Sequence, residues 1–124
     1  MRDLEGCCIL VVEDQFYLAE DVQQTLERAG ARILGPFPQQ EKALAAMEQD
    51  RPDCAIIDVN LGGGANFELA DEMTRRGVPF LFFTGYDQEV IPQRFAHVSR
   101  LEKPVDTARL VKAAQAVCSP TGRT

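Results

Sequence analysis

Short apolar runs that stop abruptly on acidic or turn residues alternate along this chain with longer stretches of helical periodicity. Cys8-Ile9-Leu10-Val11-Val12 stops at Glu13-Asp14. Cys54-Ala55-Ile56-Ile57 runs into Asp58, and Val78-Pro79-Phe80-Leu81-Phe82-Phe83 ends at Thr84-Gly85-Tyr86. Runs this short, bounded by turn signals, read as strands buried on both faces. Arg32-Ile33-Leu34-Gly35 reads as an edge or second strand, broken by Pro36 and Pro38. Residues 97–101 read as a fifth strand, followed by Glu102-Lys103-Pro104.

The stretches between them repeat apolar residues at helical spacing. Residues 15–29 carry Leu18, Val22, Leu26 and Ala29, with Asp14 as a candidate N-cap and Gly30 as the stop. Residues 39–50 carry Ala43, Leu44 and Met47, the last as core filler. Residues 66–76 place Phe67, Leu69, Ala70 and Met73 inward, between an Asn66 cap and a Gly77 stop. Residues 106–117 are capped by Asp106 and carry Leu110, Ala113, Ala114 and Val117 on one face. Pro92 leaves room for only a short helix over 87–93.

Strand and helix thus alternate five times. The pattern predicts an α/β fold, a doubly wound five-stranded parallel sheet with helices on both faces. Right-handed crossovers leave few arrangements, and order 2-1-3-4-5, the flavodoxin-like one, is one of the common doubly wound orders and the one expected. It sets strands 1 and 3 side by side, with a ligand crevice at their carboxyl ends. The 124 residues suffice for one domain with a core over about 7–118, and 119–124 form a polar tail.

The formal charge of -6 and the lack of a basic stripe argue against a nucleic-acid partner. No apolar stretch is long enough to span a membrane, and no signal peptide opens the chain, so a cytoplasmic location is expected. Cys7, Cys8, Cys54 and Cys118 lack ligand-like spacing and read as reduced thiols. With His97 the single histidine, a zinc site and a Ser-His-Asp triad are both disfavoured.

The chemistry-bearing residues fall at predicted strand ends: Glu13-Asp14 at the first, Asp58 at the third, Thr84 at the fourth and Lys103 at the fifth. Acids crowded in one pocket repel each other unless a cation is bound. Mg²⁺ suits such a site, because it needs few carboxylates and keeps several waters. Asp58 beside Mg²⁺ and Lys103 is equipped to attack a phosphoryl group and form an acyl phosphate, with Thr84 supplying a hydroxyl at the rim.

On these residues the chain resembles the receiver domain of bacterial two-component response regulators, a CheY-like fold. The resemblance implies that Asp58 is the phospho-acceptor, served by a histidine kinase or a histidine phosphotransfer protein. It implies a Mg²⁺ site of Asp14, Asp58, Glu13 acting through water, and the Asn60 carbonyl. Thr84 resembles the switch hydroxyl, Lys103 the lysine that pairs with phosphoryl oxygen, and Lys103-Pro104 the family's cis peptide bond.

Three departures stand out. The strand 5 position that commonly holds a switch aromatic is Arg100. Phe83-Thr84-Gly85-Tyr86 resembles a stand-alone subgroup, frequent in alphaproteobacteria, that carries Thr-Gly-Tyr after strand 4, and Tyr86 is the candidate for the gating role. The stretch from Thr84 to Lys103 is short, so the helix over 87–93 is expected to be reduced. A single-domain regulator without an output domain is the expectation, acting as relay, phosphate sink or partner-binding switch. The segment 87–96, strand 5 and the final helix, with Val90, Ile91 and Phe95, are the candidate surfaces for a partner or a homodimer.

Other readings fare worse. A degenerate receiver that only binds partners would lack Asp58 or Lys103. An aspartyl phosphatase usually has a second aspartate where this chain has Asn60. A flavin carrier needs a phosphate-binding loop where Glu13-Asp14 would repel phosphate.

Overall fold

The computed structural model describes residues 3–59, 67–85, 91–104 and 106–118. Asn60, Asn66, Tyr86, Val90 and the 119–124 tail, which carry expectations above, lie outside the described residues. The elements are β1 (Cys8–Val12), α1 (Phe16–Arg28), β2 (Arg32–Phe37), α2 (Gln40–Ala46), β3 (Cys54–Asp58), α3 (Glu68–Arg76), β4 (Phe80–Thr84), a 3-10 turn (Gln93–Phe95), β5 (Arg100–Glu102) and α4 (Thr107–Val117). The strands form one parallel sheet in the order β2-β1-β3-β4-β5, as the alternation predicts.

Side-chain alternation along the strands builds two cores. On one face Leu10, Val12, Ala55, Ile57, Phe80 and Phe82 pack against Ala43 of α2, Met47 at its C-cap, and Leu69, Ala70 and Met73 of α3. On the other face Ile9, Val11, Cys54, Ile56, Leu81 and Phe83 pack against Val22 and Leu26 of α1 and Leu110 and Ala114 of α4. Every residue of β1, β3 and β4 is buried, which is why those three runs are continuous and apolar. All four thiols are free, and three of them are buried.

Several boundaries differ from expectation, each for a physical reason. β2 does not stop at Gly35; it continues through Pro36 to Phe37. An edge strand tolerates proline because one row of its N–H groups has no ladder partner. One extra residue lies between Leu34 and Phe37 against Leu10 and Val12, a bulge at Gly35-Pro36. Gly35 sits at φ +101, and a Cβ there would come within 2.8 Å of the Phe37 nitrogen. The Gly35–Pro36 peptide bond is cis, as is the expected Lys103–Pro104 bond.

Asp14 does not cap α1: it is exposed, and the N-cap is Gln15, without a side-chain hydrogen bond. Helix α2 ends at Ala46 rather than running to residue 50. The fifth strand lies at Arg100–Glu102, leaving His97 and Val98 in the turn before it. Phe95 belongs to the core, and Ile91 packs partly buried against that core.

Gly77 ends α3 in the left-handed conformation at φ 73, as glycine allows at no steric cost. Asp106 caps α4, its Oδ1 accepting from the Arg109 N–H at 2.8 Å. Asp106→Ala is expected to lower stability by about 1 kcal/mol in a denaturant titration. The loss should appear first as fraying of the α4 amides in hydrogen exchange.

Candidate functional site: an acidic pocket with one lysine

The residues that end β1, β3, β4 and β5 are brought to one rim by backbone pairing. Glu13, directly after β1, donates its N–H to the Phe37 carbonyl at 2.9 Å, a partner that the β2 bulge supplies. Asp58 is the last residue of β3, and the next N–H, of Val59, bonds the Phe83 carbonyl at 3.0 Å. Lys103 follows β5, and its N–H bonds the Thr84 carbonyl at 2.8 Å. The sheet ladder therefore fixes the roots of all four side chains before any side-chain contact is counted.

At this rim Lys103 Nζ lies 3.1 Å from Asp58 Oδ2 and 3.1 Å from Glu13 Oε1. Lys103 also reaches Glu13 Oε2 at 3.4 Å, and the Gln15 N–H donates to that same oxygen at 3.1 Å. Glu13 and Asp58 are buried, each 2% exposed, whereas Asp14 stands in solvent at the mouth. Thr84 is buried at the end of β4. Arg100 is exposed on β5.

The electrostatics are unbalanced. One ammonium faces two buried carboxylates and a third at the rim. Burial, and then the charge of Asp58, push the Glu13 carboxyl up to about 7, against the lowering pull of the Gln15 N–H and Lys103. Burial alone would lower the pKa of Lys103, yet the carboxylates of Asp58 and Glu13 hold it above the ordinary lysine value.

Glu13 Oε1 is buried without a hydrogen-bond partner, for Nζ lies close by but outside hydrogen-bond geometry. Glu13, Asp14 and Asp58 each offer one oxygen, all within 4.8 Å of one another. Oxygens on opposite sides of a hard divalent ion such as Mg²⁺ stand about 4.2 Å apart. The excess negative charge and this clustering of oxygens fit such an ion.

Sequence reasoning missed the direct Glu13–Lys103 ion pair, since nothing in the spacing shows which acid a lysine ninety positions away will reach. It also missed Asp53, whose Oδ2 accepts the Cys8 N–H at 2.8 Å and pins the start of β1 to β3. Gln40 was likewise illegible. Its Oε1 accepts the Leu69 N–H at 3.2 Å, capping α3 from α2 where α3's own N-cap residue makes no side-chain bond.

Fold and site together define a flavodoxin-like α/β domain with an acidic, lysine-bearing pocket at its topological switch point. The family model described as response regulator receiver domain matches residues 9–115, and the chain belongs to that family. The sensory transduction protein LytT of Bacillus cereus is 33% identical over 110 residues, 84% of this chain and 44% of its own. The transcriptional regulatory protein PdtaR of Mycobacterium tuberculosis is 24% identical over 90% of this chain and 56% of its own. The chain thus spans about half the length of these curated relatives. Among solved structures, SdrG from Sphingomonas melonis Fr1 superposes with a TM-score of 0.79 at 33% identity, covering 94% of this chain and 98% of that one. A second SdrG structure, described as the BeF3-activated conformation, gives a TM-score of 0.76 at 31% identity. No helix among the described residues is long and apolar enough to cross a membrane.

Proposed function

We propose that this chain is a phosphorylation-dependent signalling receiver whose acceptor is Asp58. A carboxylate oxygen of Asp58 attacks the phosphorus of a phosphohistidine on a histidine kinase or histidine phosphotransfer protein. The new O–P bond forms as the P–N bond breaks, and its electron pair leaves on the imidazole nitrogen. Lys103, already 3.1 Å from Asp58 Oδ2, is placed to neutralise a phosphoryl oxygen. Thr84 supplies a hydroxyl at the same rim, and Asp14, Asp58 and, through a water, Glu13 would hold Mg²⁺, with the Asn60 carbonyl as the further ligand that the family resemblance implies. The ion, when bound, offsets the negative charge of the transferring group.

The observation that carries this reading is the convergence of Asp58, Glu13 and Lys103 in one buried contact at the carboxyl edge of the sheet. Phe16 and Tyr17 are 71% and 80% exposed at the start of α1, just beyond Asp14, and give a protein donor an apolar foothold beside the acceptor. Membership of the subgroup marked by Thr84-Gly85-Tyr86 is part of the proposal. Tyr86 then takes the gating role that Arg100 cannot fill from an exposed position on β5.

The test is intact mass after incubation with Mg²⁺ and a small phosphodonor. The wild-type chain is expected to gain one labile phosphoryl group, and Asp58→Ala none. An equal gain in both would move the acceptor elsewhere, and no gain in folded wild type would end the reading.

A further inference from the structure

Four phenylalanine rings meet on the α2–α3 face of the sheet, and their placement ties the acceptor to a distant surface. Phe67 stacks on Phe95 with centroids 5.7 Å apart and planes at 28°. Phe82 meets both edge-on, at 5.9 and 5.7 Å, and Phe80 closes the group against Phe82 and Phe95 at 5.4 and 6.0 Å. Phe95 is 2% exposed although it sits in one 3-10 turn whose neighbours Gln93, Arg94 and Ala96 are exposed. The turn is held from outside as well. Arg94 makes a fork to Asp71 of α3, Nε and Nη2 each 2.9 Å from a carboxylate oxygen, and its guanidinium lies 4.7 Å from the Phe95 ring centroid.

The position of these rings in the chain gives the cluster its meaning. Phe67 closes the segment that leaves the site after Asp58, and Phe95 belongs to the segment that leaves it after Thr84. Phe82 shares its strand face with Thr84, two residues on. On β5 there is no ring to pass a change along: Arg100 and Glu102 are exposed, and Leu101 packs against the opposite core.

We propose that the Phe67–Phe95 clasp, seated on Phe82 and tied outside by Arg94–Asp71, carries the phosphorylation state of Asp58 to the surface of the 3-10 turn at residues 91–98. The inference rests on the receiver reading above and names how that site is read out. A new charge at Asp58 that draws on Thr84 shifts Phe82 and the two segment ends together. Interlocked rings in a close-packed core exchange between discrete packings rather than deforming by degrees. The readout surface is then Gln93, Arg94, Ala96 and His97, in place of a strand-borne aromatic.

Amide chemical shifts with Mg²⁺ and beryllofluoride, a phosphoryl mimic, test this. In wild type, shifts are expected at Val59 and Lys103, reporting the acceptor, and across Gln93–Val98, reporting the turn. Phe67→Leu keeps an apolar side chain but no ring; it should retain the acceptor shifts and lose those of the turn. Arg94→Gln, on the surface and harmless to folding, should weaken the turn shifts while leaving acceptor occupancy unchanged. Turn shifts that persist in both variants, or that are missing in wild type while the acceptor responds, overturn the clasp. Should Phe67→Leu fail to fold, the Arg94→Gln comparison alone decides. An acceptor that does not respond in wild type instead overturns the receiver reading itself, so the two failures are told apart.

Discussion

Lys103→Ala is expected to lower the stability of the metal-free protein by about 3 kcal/mol near neutral pH. The ammonium is the partner that Asp58 and Glu13 share, each at 3.1 Å, and both carboxylates are almost wholly buried. Removing one member of a buried ion pair leaves its opposite uncompensated, which is where losses of this size originate. The figure sits at the low end of its range because Glu13, whose carboxyl is already pushed up to about 7, can take up a proton. Mg²⁺ should return part of the loss to the variant, since the ion replaces the missing positive charge. Phosphoryl transfer from a small donor should slow by on the order of a hundredfold, as expected when one fixed positive group is withdrawn from a developing charge. Urea titrations with and without Mg²⁺, beside a phosphorylation time course, measure both effects. A variant as stable as wild type in chelator would show that the lysine is not the counter-charge of the pocket.

The same geometry explains which parts of this protein were legible in its sequence. β1, β3 and β4 were readable because each is buried on both faces, so burial forced an unbroken apolar run. The acids and Lys103 were readable because each directly follows or ends such a run, where the chain must leave the sheet. Sequence pattern alone ends β2 early because proline argues against a strand, and only its position at the sheet edge, a tertiary fact, makes Pro36 acceptable. Asp14 looked like a helix cap by residue type, yet Gln15 takes that place and Glu13 accepts the Gln15 N–H instead. Local propensity could not foresee this, because the competing roles of the two acids are set by the lysine on β5's far end. Gln40 and Phe95 were opaque for a related reason: each acts through a contact made across the fold.

Metal affinity should depend on pH through Glu13. Its carboxyl is pushed up to about 7 by burial and by the charge of Asp58. A carboxyl raised in this way above its unfolded value contributes stability that is complete below the ordinary carboxylate range. That contribution is lost as the pH rises through about 7, where the folded site must carry the extra charge. Divalent cations act on the same step, because the ion favours the ionised carboxylate and displaces its proton. Mg²⁺ affinity is therefore expected to fall by up to about tenfold for each pH unit below about 7, and to level off above it. The chain has no tryptophan to report binding, so calorimetry is the appropriate measurement; it also counts the proton released through the buffer's ionisation heat. Glu13→Gln should flatten this dependence and abolish the released proton while keeping Asp14 and Asp58 in place. A Glu13→Gln protein with the same slope as wild type would assign the proton to another group, and with it the origin of the pocket's charge imbalance.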